Sequence, residues 1–192
     1  MHTTARSLTS GPITTTLLRF ALPMMLGDLL QQLYNIADTL IVGRYVGADA
    51  LAAVGSSYTL MTFLTSILLG LSMGSGVAVS ISFGRGEQNR MRREIFLSFC
   101  MIGLTALVLN VGVFVLTDPI LGLLQVPAEI WDLMRQYLVI IFLGIGGTFL
   151  YNYYACLLRA VGDSVRPLFF LGAAAILNIV LDIAFVLGLG AG

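Results

Sequence analysis

The chain has 192 residues, 58% of them apolar and only 10% charged, against roughly 25% charged in an ordinary soluble domain. That excludes a typical water-soluble globule, and the natural unit of length becomes a membrane span of about 20 apolar residues. Ten basic residues, all arginine, balance ten acidic ones, which excludes a net basic nucleic-acid surface, and the absence of lysine excludes a P-loop.

The first predicted helix covers 13–42, after a short tail with Arg6, Gly11 and Pro12. It is too long for a signal peptide, carries Arg19, Asp28 and Asp38, and lacks a small-residue cleavage site, so it reads as a retained span. The second, 50–83, would be about 50 Å long at 1.5 Å per residue and exceeds a hydrocarbon core of about 30 Å. It must tilt, protrude or break, with Gly70, Gly74 and Gly76 as the expected place. The third covers 95–116 and is expected to stop at Asp118 and Pro119. The fourth covers 133–158, with Trp131 and Tyr137 suited to the interfacial belt. The fifth, 167–187, opens at Pro167, a residue that fits a first helical turn. Glycines 70, 74, 144 and 147 are the expected close-packing points between helices.

Five spans place alternate connections on opposite sides of a bilayer. Eight of the ten arginines (6, 19, 85, 90, 92, 93, 159 and 166) then share a side with the N-terminus, leaving Arg44 and Arg135 opposite. By the positive-inside rule the N-terminus is expected in the cytoplasm. The run from Gly84 to Arg93 reads as a solvated cytoplasmic loop carrying that topology signal, with a lipid or partner site as the alternative. Cys100 and Cys156 lie in apolar runs and suggest neither disulfide nor metal site. The only histidine, His2, is in the tail, so histidine-dependent membrane enzyme chemistry lacks its residue. No enzyme activity and no cofactor are expected.

Asp28, Gln31, Asn35 and Asp38 recur at intervals of three, four and three, which puts them on one face of the first helix. An ionised side chain in hydrocarbon costs at least about 2.5 kcal/mol on insertion scales, so that face should meet a bundle interior or a wet cavity. Asn178 and Asp182 form a second pair one turn apart on the fifth helix. If the two helices are neighbours, Asp38, Asn178 and Asp182 could converge. Two carboxylates and an amide oxygen suit a hard cation such as Na⁺, and two crowded carboxylates can also trade protons. Interhelical polar contacts are the alternative for Gln31, Gln32 and Asn35, whereas a neutral Asn would serve that purpose better than Asp38 or Asp182. Tyr151, Asn152, Tyr153 and Tyr154 form a polar aromatic cluster, read as core packing and interface anchoring, with substrate stacking as the lesser alternative.

Several stretches resemble multidrug and toxic compound extrusion (MATE) transporters. The run from Pro23 to Asp38, with Gly43 to Gly47 and Ala50 to Val54, is similar to their first helix and following loop. Gly84 to Arg90 is similar to the loop after the second helix, Leu158 to Pro167 to the loop before the fifth, and Leu177 to Asp182 to the middle of the fifth. The resemblance implies twelve helices in two six-helix lobes, so that five spans form most of an N-terminal lobe and the remaining helices of the chain are missing. It implies export of a small organic, often cationic, compound by alternating access in a bacterial or archaeal plasma membrane, driven by Na⁺ or H⁺ entry. Asp38, Asn178 and Asp182 fall on family cation-site positions, with Asp28, Gln31, Tyr34, Asn35 and Asn152 as candidate cavity-lining residues. Two positions depart from the pattern: Ile183 stands where a Pro is usual, and Asp28 where an uncharged residue is commoner. A flippase of lipid-linked oligosaccharide or peptidoglycan precursor, of the same superfamily, is the alternative. It should line its cavity with cations for the pyrophosphate.

Overall fold

The computed structural model describes residues 12–185; His2, Arg6 and Gly11, and the expected end of the fifth span at 187, lie outside the described residues. Six α-helices follow in order: α1 (Ile13–Ile41), α2 (Ala48–Gly84), α3 (Gln88–Leu123), α4 (Trp131–Leu143), α5 (Ile145–Ala160) and α6 (Val165–Ile183). A π-helical turn at Val42–Val46 follows α1, a 3-10 turn at Ala128–Ile130 precedes α4, and no strand occurs among the described residues. Helix is the form that apolar surroundings impose, because each main-chain donor must find its acceptor within the segment. Helices α1 (with its π turn), α2, α3 and α6 are each long and apolar enough to cross a membrane, and α4 with α5, bent by 46° between them, is so only when the two are taken together.

The differences from the expected spans have local causes. The fourth span is not one helix. At Gly144 the main-chain N–H reaches back only three residues, to the Ile141 carbonyl at 2.9 Å, and the Asn110 side chain of α3 donates to the Phe142 carbonyl in the last turn of α4. The neighbouring helix thus satisfies an acceptor at the bend. Conversely, α3 does not stop at Pro119 but carries it internally to Leu123. A proline removes one main-chain bond, and fully buried Leu121 holds the turn beyond it against the core. At its other end α3 begins at Gln88, so most of the basic stretch is helical and the turn shrinks to Arg85–Glu87, with Gly86 at φ +73°. No break interrupts α2 at its glycines.

The glycines that bring helices together are also not the expected ones. A Cβ at Gly70, Gly74 or Gly147 would meet nothing within 4 Å, and one at Gly144 would meet only the Ile141 carbonyl. Contact runs instead through Gly76, 3.4 Å by such a Cβ from the Cys156 carbonyl of α5, and Gly103, 3.5 Å from the Phe149 ring. Gly27 faces Leu168 and Leu171 at 3.7 Å, and Gly172 faces Leu30 at 3.6 Å, so α1 and α6 close on each other at two small residues.

The core belongs to α2–α5. Leu68, Ile102, Leu121, Met134 and Leu138 are fully buried there, with Phe142, Phe149 and Tyr153 packed among them. Small polar side chains enter this core by bonding back to their own helix: Ser57 to the Ala53 carbonyl at 2.8 Å, Ser72 to Leu68 at 2.7 Å, and Thr117 to Val113 at 2.6 Å. Helix α1 buries only Gly27, and α6 only Pro167 and Ala175. Those two helices form a pair whose main contact is with each other.

Candidate functional site

The start of α6 fixes where its polar pair sits. Gly162, at φ +87°, turns the chain after α5, and Asp163 then caps α6 by accepting from the Val165 and Arg166 main-chain N–H groups, each at 3.1 Å. The second Asp163 oxygen pairs with Arg166 Nε at 3.1 Å. From that anchored end α6 runs along α1 in the same chain direction, as the contacts of Gly27 with Leu168 and Leu171 and of Leu30 with Gly172 show, so its last turns, with Asn178 and Asp182, come alongside the end of α1 that carries Asp38.

Asp38 is half-buried and close enough to Asp182 to feel its charge. Asn178 Oδ1 and Asp182 Oδ2 are buried oxygens without a hydrogen-bond partner. An acceptor withdrawn from water and left unmatched is unfavourable unless something positive completes it. Among the described residues no three His, Cys, Asp or Glu side chains converge. Asp38, Asn178 and Asp182 offer two carboxylates and one amide, oxygen donors that suit a hard cation or a proton better than a transition metal.

Three tyrosines lie in the region of Asp38. Tyr34, one turn earlier on α1, and Tyr137 of α4 both lie within range of its charge, and Tyr58 of α2 lies within range of Tyr34. Tyr34 was expected at the cavity. Tyr137 was expected only at the interface and Tyr58 not at all, because their approach depends on how α2 and α4 pack rather than on any spacing along the chain.

The remaining candidates separate. Asp28 is exposed and lies within range of Tyr151, which also senses Arg159 of α5; it stands at the middle of α1, ten residues before Asp38. Gln31 is exposed. Asn35 donates to Gln32 Oε1 at 3.1 Å, a contact within α1 itself. Asn152 donates to the Thr148 carbonyl of its own helix at 2.9 Å. In the aromatic cluster, buried Tyr153 donates to the Ile95 carbonyl at 2.6 Å, has Ser98 Oγ 2.8 Å away, and stacks edge-on to Phe99 with centroids 5.5 Å apart. It is a core residue.

Residues 23–184 match the profile of the MatE family. Over 184 residues the chain is 34% identical to the probable multidrug resistance protein YpnP of Bacillus subtilis, covering 95% of this chain and 41% of that protein. Over 173 residues it is 29% identical to the probable multidrug resistance protein NorM of Thermotoga maritima, covering 90% and 37%. A solved structure of MATE in complex with MaD5 superposes with a TM-score of 0.90 at 25% identity, over 99% of this chain and 43% of that one. The chain thus spans about two fifths of the length of the curated relatives it matches.

Proposed function

Since this chain belongs to the MatE family of membrane transporters, we propose that it is the cation-coupling part of a twelve-helix antiporter that exports small organic, often cationic, compounds. The observation that carries the coupling role is the pair of buried, unpartnered oxygens on Asn178 and Asp182, on the helix that packs along the one carrying Asp38. Na⁺ or a proton entering this set neutralises one carboxylate and relieves the repulsion between two like charges. Because α1 and α6 touch the rest of the bundle so sparsely, the pair can shift against α2–α5 without disturbing the core. A cation that binds one packing better than the other biases the equilibrium between them by its difference in affinity and no more. Alternating access then follows from cation entry in one packing and drug release in the other.

Orientation rests on the arginines. The described ones on the α2–α3 side, Arg19, Arg85, Arg90, Arg92, Arg93, Arg159 and Arg166, mark the cytoplasmic face of a bacterial or archaeal plasma membrane, with Arg44 and Arg135 outside. The same distribution favours drug export over flipping of a pyrophosphate lipid, because the guanidiniums gather toward the helix ends and not around Asp38 and Asp182.

The test is Asp38→Asn in the full-length protein, assayed as gradient-driven efflux of a fluorescent organic cation from right-side-out membrane vesicles at matched expression. Efflux is expected to fall to the level of vesicles without the protein, and undiminished efflux overturns the assignment. Imposing a Na⁺ gradient and a pH gradient separately on proteoliposomes identifies the coupling ion. Translocation of a lipid-linked precursor without drug efflux establishes the flippase instead.

A further inference from the structure

Four arginines, Arg85, Arg90, Arg92 and Arg93, fall within nine residues where α2 gives way to α3. Two carboxylates stand among them, and both are taken. Arg90 Nε meets Glu94 Oε1 at 2.9 Å and its Nη1 meets Glu87 Oε2 at 3.4 Å. The second Glu94 oxygen accepts from the buried Ser82 hydroxyl of α2 at 2.6 Å. Arg85, Arg92 and Arg93 are exposed and have no ion-pair partner among the described residues. The local acids therefore tie the two helices together and leave the outward face cationic.

Below that face the surface becomes hydrocarbon at once. One helical turn beyond Arg92 and Arg93 stand Phe96 and Leu97, 66% and 53% exposed, followed by Met101 and Leu104. A free-phosphate or nucleotide site would not continue into an uncovered apolar stripe, and a soluble acidic peptide would leave that stripe unmatched. A lipid matches both parts. Arginine forks suit phosphate oxygens bidentately, and anionic headgroups draw arginines that flank a span. We propose that Arg92 and Arg93, with Arg85 across the turn, hold the phosphate of an anionic phospholipid whose acyl chains lie along Phe96, Leu97 and Met101.

The experiment is native mass spectrometry of the full-length protein in detergent, with phosphatidylglycerol and phosphatidylcholine of equal chain length added in competition. The wild type is expected to retain phosphatidylglycerol preferentially, and R92Q/R93Q to reduce that preference by about 25-fold, roughly fivefold for each arginine near an anionic headgroup. R44Q, at the other end of the bundle, keeps the preference. An equal preference in R92Q/R93Q, or an equal loss in R44Q, overturns the site. Displacement of the lipid by millimolar inorganic phosphate overturns the lipid assignment in favour of the bare anion. Should R92Q/R93Q fail to fold, salt titration of the wild type decides: an exposed guanidinium site weakens as salt rises, and a preference indifferent to salt rules it out.

Discussion

Two parts of this molecule treat polar groups in opposite ways. In α2–α5 nearly every buried polar side chain is matched: serine and threonine hydroxyls bond to their own helices, Tyr153 bridges α5 to α3, and Asn110 serves the bend at Phe142. The one exception there is Arg159 Nε, at the far end of α5. In the α1–α6 pair, Asn178 and Asp182 keep buried oxygens with nothing to bond. A saturated bundle has one low-energy arrangement, whereas a pair held by small residues and left with unmatched acceptors has a reason to move and something to bind. Under the proposed function the difference is that between a scaffold and a moving part.

The sharpest way to break this contrast is Asp182→Asn. In a scaffold, replacing a buried polar residue lowers stability; here the carboxylate is unsatisfied, so its removal should leave the thermal midpoint of the full-length protein unchanged or raised while abolishing gradient-driven efflux. A marked loss of stability would mean that Asp182 has a structural partner. Leu138→Ala should do the reverse. Leu138 is fully buried between α4 and the other core helices, and its truncation should cost about 2–4 kcal/mol in a melt. Leu29→Ala, on the uncovered side of α1, should cost about 0.5 kcal/mol or less.

At a smaller scale, Ser98→Ala and Tyr153→Phe both remove contacts across the α3–α5 seam. An interhelical hydrogen bond in a membrane protein contributes about 0.6 kcal/mol on average, so each variant should lose about that much. The double variant should lose less than the sum, because Ser98 and Tyr153 bond to each other at 2.8 Å. Strict additivity in a double-mutant cycle would show that the seam is held by packing alone.

What was legible in the sequence follows the same division. The helical class, the number of spans and the acidic face of α1 are local properties, set by hydropathy and by spacings of three and four. The pairing of Asp38 with the Asn178–Asp182 turn was available only as a condition, that the first and fifth spans be neighbours. The bend at Gly144 was not legible, since Gly144 looks like any other small residue until Asn110 arrives from α3. Pro119 misled for a related reason: in water a proline ends a helix, but in apolar surroundings fully buried Leu121 makes continuing the cheaper course. Glycine positions were equally uninformative, because Gly70 and Gly76 differ only in that one of them meets α5. Tyr58 and Tyr137 reach the Asp38 region through tertiary packing, which no periodicity encodes.

The smallest effect is expected where the closed part carries an ion pair on its rim. Arg135 Nε of α4 lies 2.9 Å from Asp118 Oδ1 of α3, with both side chains more than half exposed. In high dielectric such a pair gains little, loses side-chain freedom and is screened by salt, which leaves about 0–1 kcal/mol. Arg135→Gln should therefore lower stability by no more than about 0.5 kcal/mol, and raising the salt concentration should erase the difference from wild type. The interior of the same helix face predicts why. Met134 and Leu138 seat α4 whether or not Arg135 is charged, since both are fully buried. A loss of about 2 kcal/mol or more, persisting in high salt, would show that charge helps to lock α3 to α4. The α2–α5 bundle would then be a second element able to respond to ions, and the contrast with α1–α6 would dissolve.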